Sequence, residues 1–332
     1  MSDLKSPANF HWHDRDPGPE LFSHAVLEGL GRTDKAVPFR FLYDKTGSDL
    51  FEQICRQPEY YITRTELCLL EDKAAEIADI AGPSVRLVEF GSGESRKGRL
   101  LLEALEDPAA YIPVDISKAA LGAAARQAAL DYPGLPVHAV WADFRTGFRL
   151  PLPDQGRIAG FFPGSSIGNF TRPQARHFLA GWRDCLGAGG AMIVGVDLIK
   201  PVAELEAAYD DRAGVTAAFT LNLLRRINRE LDGDFQLSAF RHEAHYNPST
   251  FAIDIHLVSR CRQTVTVCGQ AFDFDCGERI HVESSHKYDV EGFQALAEAA
   301  GFSPQAVWTD KNHRFSIHFL TVAEISPSPV DA

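Results

Sequence analysis

Short apolar runs alternate with helical patterns in the middle of the chain. Residues 85–90 form an apolar run rich in branched side chains, and the glycine turn 91–93 and a basic helical stretch at 95–105 follow at once. A second apolar run at 110–115 ends in an acid about twenty residues beyond the glycines. An alanine-rich helical stretch at 118–131 comes next. The pattern predicts a strand, a glycine turn, a helix, a second strand and a second helix.

The alternation continues towards the carboxyl terminus. Residues 137–143 form an apolar strand that also ends in an acid, and 157–162 and 191–196 supply two more strands with the helical stretch 172–185 between them. Five strands alternating with helices predict an α/β fold with a doubly wound, mostly parallel sheet. A last helix and two closing strands are expected at 290–300, 305–308 and 315–322.

The stretch 197–285 continues neither pattern. It is helical at 202–231 and strand-like at 251–259, 263–267 and 279–283. Because it follows directly on the fifth strand, we predict an inserted domain that projects from the carboxyl edge of the sheet. Ligands bind at that edge in open α/β folds, so the insertion is placed to cap a site.

The order of these segments predicts two domains after a lead-in. Residues 1–38 are expected to be polar and partly disordered. The helical, aromatic-rich segment 39–65 joins 197–285 in a substrate domain, and 66–196 joins 286–325 in the sheet domain. We expect the sheet domain to bind the cofactor.

Charge and composition narrow the class of protein. The formal net charge of -12 over 332 residues repels a phosphate backbone, so no nucleic-acid partner is expected. No apolar run approaches the ~20 residues that a membrane-spanning helix needs, so no membrane partner is expected either. The N-terminus lacks the pattern of a secretory signal, which favours the cytoplasm.

Neither the cysteines nor the histidines predict a metal site. The 6 cysteines form no C-x-x-C pair, so we expect reduced thiols, mostly in the core, rather than a zinc site or a disulfide framework. His242 and His245 have helix-like spacing, but no second acidic or histidine pair accompanies them at ligand spacing. No metal is therefore expected.

Three successive strand ends carry groups that suit one ligand. Gly91 lets the backbone approach a ligand, but Arg96 stands where the dinucleotide pattern has its third glycine, so pyrophosphate binding loses support. Asp115 can accept hydrogen bonds from two ribose hydroxyls, Asp143 can accept one from an adenine amino group, and the Phe144 ring can cover the adenine. These groups predict S-adenosylmethionine (SAM) as the cofactor, although either acid alone also suits a helix cap.

Polar motifs of low degeneracy identify a family. They are YDKTGSDLF at 43–51, PEYYITRTE at 58–66, FFPGSSIGNF at 161–170, AYDDRAGVTAAF at 208–219 with NLL at 222–224, and IHVESSHKY at 280–288. With these motifs the chain resembles, from about residue 39 to residue 322, the histidine Nα-methyltransferases of ergothioneine biosynthesis. That family forms hercynine, the trimethylated histidine.

The resemblance implies a Rossmann-like class I methyltransferase sheet with a second, inserted amino-acid-binding domain. It implies that Tyr60, Asn169 and Tyr209 hold the backbone end of the amino acid, and that Glu283 and Ser285 bond the imidazole. The last two alternate on one strand face, where a carboxylate and a hydroxyl can satisfy the two ring nitrogens. The residues that would line the methyl donor are Tyr43, Gly91, Lys97, Asp115, Asp143 and Phe144.

Two positions depart from the family pattern. Ile255 stands where the family usually has a methionine, and Thr220 stands where an asparagine often appears. Isoleucine is stiff where methionine is adaptable, so a pocket wall at Ile255 would have a different shape. Ile255 is predicted to line the substrate pocket. It therefore bears on which amino acid the pocket accepts, and not on the methyl-transfer chemistry.

Each substrate residue also has a purely structural interpretation. Tyr60 and Tyr209 suit the rim of a domain, Asn169 suits a turn, and Glu283 suits an exposed strand position. Their occurrence together inside the matching motifs favours the functional interpretation.

The chemistry expected is an in-line methyl transfer. The protein has to align an unprotonated amine with the methyl carbon, and no covalent nucleophile is needed. We expect three transfers in one pocket, with Tyr43 or Tyr60 helping to manage the departing protons, which either a side chain or water takes. We also expect a monomer that acts on L-histidine. The alternatives are transfer to tryptophan or a histidine derivative, a nicotinamide-dependent oxidoreductase, and a sensor that binds without turnover.

Overall fold

The computed structural model describes residues 7–15, 22–93, 96–145, 148, 150 and 156–323. The chain divides into two compact units. The first unit comprises 1–17, 65–198 and 288–332, and the second comprises 18–64 and 199–287.

The first unit is built on one sheet of 8 strands. In spatial order these are β1 (Phe10–Asp14), β4 (Val137–Trp141), β3 (Ala110–Asp115), β2 (Arg86–Phe90), β5 (Ile158–Phe162), β6 (Ala191–Asp197), β13 (Phe315–Val322) and β12 (Phe302–Thr309). The run from β1 to β6 is parallel, and β13 and β12 are antiparallel to their neighbours. This arrangement confirms the α/β fold with a mostly parallel sheet.

The parallel strands are apolar because helices cover both faces of such a sheet. Every residue of β2 and β6 is buried. The helices of this unit are most of α3 (Tyr61–Ala81), then α4 (Arg96–Ala104), α5 (Lys118–Asp131), α6 (Arg172–Leu186) and α9 (Val290–Ala299). Ser95, the predicted first residue of α4, lies outside the described residues.

Polar side chains define where helices begin. Thr171 accepts a hydrogen bond from the Gln174 N–H, and the Gln174 side chain accepts one in return from the Thr171 N–H, which forms a capping box before α6. Asp289 caps α9 in a similar way by accepting from the Gly292 N–H. These caps explain why the observed helix starts agree with the sequence pattern.

Parts of the lead-in have regular structure that the sequence pattern did not predict. Residues 10–14 form β1, which pairs in parallel with β4 from Phe10 to Asp14. A helix, α1 (Phe22–Leu30), follows in the second unit. Residues 1–6 and 16–21 lie outside the described residues. The short polar strand FHWHD was missed because it lies at a sheet edge, where an apolar run is not required.

The helical part of the second unit contains more breaks than predicted. The segment 39–65 contains a 3-10 helix at Phe39–Leu42, α2 (Lys45–Cys55) and the start of α3. The single predicted helix at 202–231 is two helices, α7 (Val202–Tyr209) and α8 (Val215–Glu230). The break has a local cause, because Gly214 has φ +73° and Asp211 accepts hydrogen bonds from the first N–H groups of α8.

Two small sheets complete the second unit. One has 3 antiparallel strands in the order β11 (Arg279–His286), β8 (Ala252–Ser259) and β7 (Phe240–Asn247). The other is the hairpin of β9 (Gln263–Val267) and β10 (Gln270–Phe274). β7 and β10 were not predicted, and His242 and His245 lie on the strand β7 rather than on a helix.

The expectation that most cysteines are core residues is wrong. All 6 lie in the described part of the chain as free thiols, and 4 of them are exposed, namely Cys68, Cys261, Cys268 and Cys276.

Among the described residues no helix is long and apolar enough to span a bilayer.

Candidate active site

The turn after β2 has a backbone conformation that favours glycine. Gly91 has φ +67° and Gly93 has φ +43°. The Gly91 N–H donates to the Val114 carbonyl at 2.9 Å, which ties the turn to β3. A methyl group added at Gly91 would lie 3.8 Å from a ring carbon of Phe144. The structure therefore brings Gly91, Phe144 and the end of β3, which carries Asp115, to one place.

Asp115 at the end of β3 is joined to this turn. Its carboxylate accepts hydrogen bonds from the Ser117 N–H at 2.7 Å and from the Gly93 N–H at 3.4 Å. Burial raises the pKa of Asp115, and the backbone hydrogen bonds oppose that shift. The Ser92 hydroxyl beside it is buried and has no hydrogen-bond partner among the described residues. A carboxylate and a buried hydroxyl at a glycine turn fit the polar groups of a nucleoside-containing cofactor.

Asp143 is engaged by its neighbour Arg145. The Asp143 carboxylate accepts from the backbone N–H of Arg145 and from its Nε, both at 2.9 Å. The first of these bonds is typical of an acid at a turn, and the sequence pattern gives no indication of the second. Phe144 packs on Phe162, with the ring centroids 5.7 Å apart, and its carbonyl accepts from the Trp182 indole at 2.9 Å.

Lys97 on α4 belongs to a buried polar network that the sequence analysis missed. Its ammonium donates to Glu66, a fully buried acid of α3. Both Glu66 oxygens also accept from the Gly164 N–H at 2.9 Å. Glu66 thereby fixes the backbone of the loop after β5, which leads to Asn169. Glu66 lies in one of the family motifs, which was the available signal.

A second buried acid lies directly before the glycine turn. Glu89 on β2 accepts from the Tyr111 hydroxyl, and burial raises its pKa to about 7. A side chain at Gly98 would place its Cβ 2.2 Å from a Glu89 oxygen, so the first turn of α4 requires glycine there. Strongly shifted acids of this kind are common at functional sites.

In the second unit, three of the predicted substrate residues, Ile255, Glu283 and Ser285, lie on one face of the three-stranded sheet. Glu283 lies opposite Ile255, and Ser285 lies opposite Ile253, in the register of β11 and β8. A β-bulge between His281 and Glu283 precedes this stretch. Bulges re-aim the side chains that follow them, and they are common beside active sites. Ile255 and Ser285 are buried.

Tyr209 at the end of α7 bonds this face directly. Its hydroxyl lies 2.8 Å from the Ser285 hydroxyl, and both accept from the ammonium of Lys287, at 2.7 Å and 2.8 Å. Lys287 is fully buried, and no role was predicted for it from the sequence. The motif that contains Glu283 and Ser285 also contains Lys287, so the signal was present but could not be interpreted without the contacts.

The backbone of Tyr209 is held by a histidine of β7. His242 Nε2 lies 2.8 Å from the Tyr209 carbonyl, and its Nδ1 lies 3.0 Å from the Thr220 hydroxyl. A carbonyl can only accept, so Nε2 carries the proton, and Nδ1 faces the Thr220 hydroxyl. Burial lowers the pKa of His242, which favours this neutral form. Thr220, the second departure from the family pattern, therefore helps to position Tyr209.

An aromatic cluster lies beside Tyr209 within the same unit. The rings of Tyr60 and Tyr209 are 6.1 Å apart, and those of Tyr43 and Phe219 are 5.4 Å apart, in edge-on arrangements. Phe51 packs against both Tyr43 and Tyr60. Burial raises the pKa of Tyr43 and of Tyr60 well above the ordinary value, and the nearby Glu283 charge adds to the shift. Both phenols therefore keep their protons at neutral pH.

The predicted sets do not fall wholly within single units. Asn169 ends a 3-10 helix of the first unit, whereas Tyr60, Tyr209, Ile255, Glu283 and Ser285 lie in the second. Tyr43, predicted to line the donor, lies in the second unit, apart in the chain from the other donor residues.

Comparison with known proteins places these features in a family. Residues 22–322 match the model of the family described as histidine-specific methyltransferase, SAM-dependent. The chain is 40% identical to a histidine N-alpha-methyltransferase of Mycolicibacterium smegmatis and 38% identical to one of Mycobacterium tuberculosis, in each case over 91% of this chain and 95% of the relative.

A third similarity is to ergothioneine biosynthesis protein 1 of Neurospora crassa, at 31% identity over 88% of this chain and 34% of that protein. The family match covers both units and decides against an oxidoreductase. This chain belongs to the histidine-specific, SAM-dependent methyltransferases.

Proposed function

We propose that the protein transfers three methyl groups from SAM to the α-amino group of L-histidine and so forms hercynine, the first step of ergothioneine biosynthesis. The observation that carries the proposal is the pair Glu283 and Ser285 on one sheet face, with Tyr209 bonded to Ser285. The family membership supports the same substrate.

The two side chains suit an imidazole because they differ in hydrogen-bonding character. The Glu283 carboxylate can only accept, so it takes the ring N–H, and the Ser285 hydroxyl can donate to the unprotonated nitrogen. An apolar side chain in this place would offer neither a donor to the carboxylate nor an acceptor to the hydroxyl, and each ligand hydrogen bond lost costs roughly 1 to 3 kcal/mol. The pocket therefore selects a ring with two polar edges.

The residues of the first unit suit the methyl donor. SAM supplies an electrophilic methyl group on a sulfonium. Asp115 accepts from the ribose hydroxyls, the backbone at Gly91 lies close to the cofactor, and Phe144 covers the adenine. Asp143 accepts from the adenine amino group in exchange for one of its contacts with Arg145. Lys97 acts here through Glu66 and the Gly164 loop.

The amino acid backbone is held by Tyr60, Asn169 and Tyr209 in this proposal. Tyr43 and Tyr60 keep their protons, so they orient the amine through their oxygen lone pairs rather than remove its protons as bases. Water takes the protons that leave. The first unit is then the donor domain and the second the amino-acid domain, in a cytoplasmic protein that acts as a monomer.

Mass spectrometry tests the function directly. Histidine incubated with SAM and the purified protein should gain three methyl groups on the α-nitrogen, with the mono- and dimethyl forms as precursors. Tryptophan and ring-methylated histidines are included as rival acceptors, because Ile255 gives the pocket a stiffer wall than methionine does. Methylation of a rival in preference to histidine, or binding of both ligands without turnover, would overturn the proposal.

A further inference from the structure

Lys287 lies at the centre of a buried triangle of polar atoms. Its ammonium donates to the Tyr209 hydroxyl at 2.7 Å and to the Ser285 hydroxyl at 2.8 Å, and the two hydroxyl oxygens are 2.8 Å apart. Its Nζ also lies 4.5 Å from the centre of the Tyr209 ring, a cation–π contact. Lysine is almost never fully buried unless other groups engage its charge, so this placement needs an explanation.

The ammonium fixes the direction of the hydrogen bonds in the triangle. An ammonium has three donors and no acceptor, so the oxygens of Tyr209 and Ser285 both accept from Lys287. Between the two hydroxyls, one donates to the other. The proton of the second hydroxyl then points out of the triangle. Burial strengthens each of these bonds because the surroundings have a low dielectric constant.

We infer that Lys287 is a positioning residue that makes Ser285 a hydrogen-bond donor to the unprotonated imidazole nitrogen of the substrate. The inference rests on the proposed function, since it takes histidine as the ligand. Lys287 donates to Tyr209 and Ser285, Tyr209 donates to Ser285, and Ser285 donates to the ring. Glu283 on the same face accepts the ring N–H. The site thus recognises one donor and one acceptor on the ring. Lys287 is responsible for the recognition of the acceptor, the unprotonated ring nitrogen.

The first test is Lys287→Met, which keeps a similar length and removes all the donors. The KM for histidine should rise roughly tenfold to a hundredfold, the range expected for a charge-assisted hydrogen bond, while kcat changes little. The preference for histidine over 2-thienylalanine, whose ring has no nitrogen, should fall by a similar factor. A lysine that only stabilised the fold would not change this preference.

A double-mutant cycle tests whether Lys287 acts through Ser285. Ser285→Ala should lower the preference for histidine over 2-thienylalanine as Lys287→Met does, and the double variant should lose less than the product of the two single losses. Lys287→Gln, which keeps two amide donors, should lie between the parent and Lys287→Met. It also covers the case in which Lys287→Met fails to fold.

Lys35→Met is the matched control. Lys35 is a mostly buried lysine of the same unit that pairs with Glu278 near the other end of β11. Its loss should leave the KM for histidine and the preference unchanged even if the melting temperature falls. Parental KM and preference in Lys287→Met, or single losses that multiply in the double variant, overturn the inference alone. A parent protein that does not methylate histidine overturns the proposed function and the inference with it.

Discussion

Glu283 on β11 lies directly opposite Ile255 on β8. The carboxylate therefore shares one face of the sheet with the isoleucine that stands where the family usually has a methionine. Ala244 on β7 lies on the other side of Ile255 in the same row. The row therefore consists of an acid, a stiff branched residue and a small residue. A change at Glu283 alters both the charge of this row and the space beside Ile255.

Glu283→Ala should raise the KM for histidine roughly tenfold to a hundredfold, because a charge-assisted hydrogen bond to the ring is lost. The vacated space and the lost charge should also weaken the discrimination against tryptophan. Competition between the two amino acids, followed by mass spectrometry, measures both effects.

Glu243→Ala is a suitable control for that experiment. Glu243 lies on the neighbouring strand β7, on the opposite face of the same sheet, where it pairs with arginines. Its removal should leave the ratio of histidine to tryptophan methylation as in the parent. An unchanged ratio in Glu283→Ala would place the side-chain pocket elsewhere.

The sheet could be predicted from the sequence because its strands are buried on both faces. Continuous apolar runs such as Ala191–Asp197 leave no other interpretation once helices alternate with them. β1 and β7 could not be predicted in this way. Their polar residues lie at sheet edges or alternate with exposed positions, and the pairing partner β4 lies more than a hundred residues from β1.

The site was predictable only as residue types in motifs. The spacing of Glu283 and Ser285 indicated a shared face, and their register shows that they have one. Lys287 and Glu66 could not be assigned, because their roles depend on contacts with Tyr209 and Gly164 that are distant in sequence. Long-range hydrogen bonds of this kind leave no periodic pattern in the chain.

Asp115→Ala should weaken SAM binding by roughly tenfold to a hundredfold, because it removes the acceptor for the ribose hydroxyls and for the Gly93 N–H. Histidine binding should change far less. Calorimetric titration with each ligand separates the two effects. Asp79→Ala, at an exposed acid of α3, serves as the control, and an Asp115→Ala protein with parental SAM affinity would refute the cofactor assignment.

Gly195→Ala should destabilise the fold by about 1 to 3 kcal/mol, as overpacking of a core does. The added Cβ would lie 2.2 Å from a Glu66 oxygen and 2.9 Å from the Phe315 ring. Gly134→Ala is the matched control, since a Cβ there has no atom within 4 Å. Urea unfolding of both variants gives the free energies, and equal stabilities would show that β6 can move away from Glu66.

The stability of the protein should fall as the pH drops from about 6.5 towards 3, in part because of His318. This residue is fully buried in β13, and burial lowers its pKa to about 3. Its Nε2 bonds the Ser316 hydroxyl at 2.9 Å, and its Nδ1 has no hydrogen-bond partner among the described residues. Below pH 6.5 His318 is protonated in the unfolded chain but stays neutral in the folded chain, so protonation favours unfolding.

His318→Gln removes this proton uptake with little change in side-chain volume. The free energy of unfolding should therefore depend less steeply on pH between about 6.5 and 4. The difference in slope from the parent has a ceiling of about 1.4 kcal/mol per pH unit, the value for one proton. His138 and His256, whose pKa values burial lowers to about 4, keep part of the slope in both proteins. His177→Gln, at an exposed position of α6, should leave the parental slope intact. Equal slopes in the parent and in His318→Gln would mean that His318 takes up its proton in the folded protein, and that the core around Phe293 admits water to it.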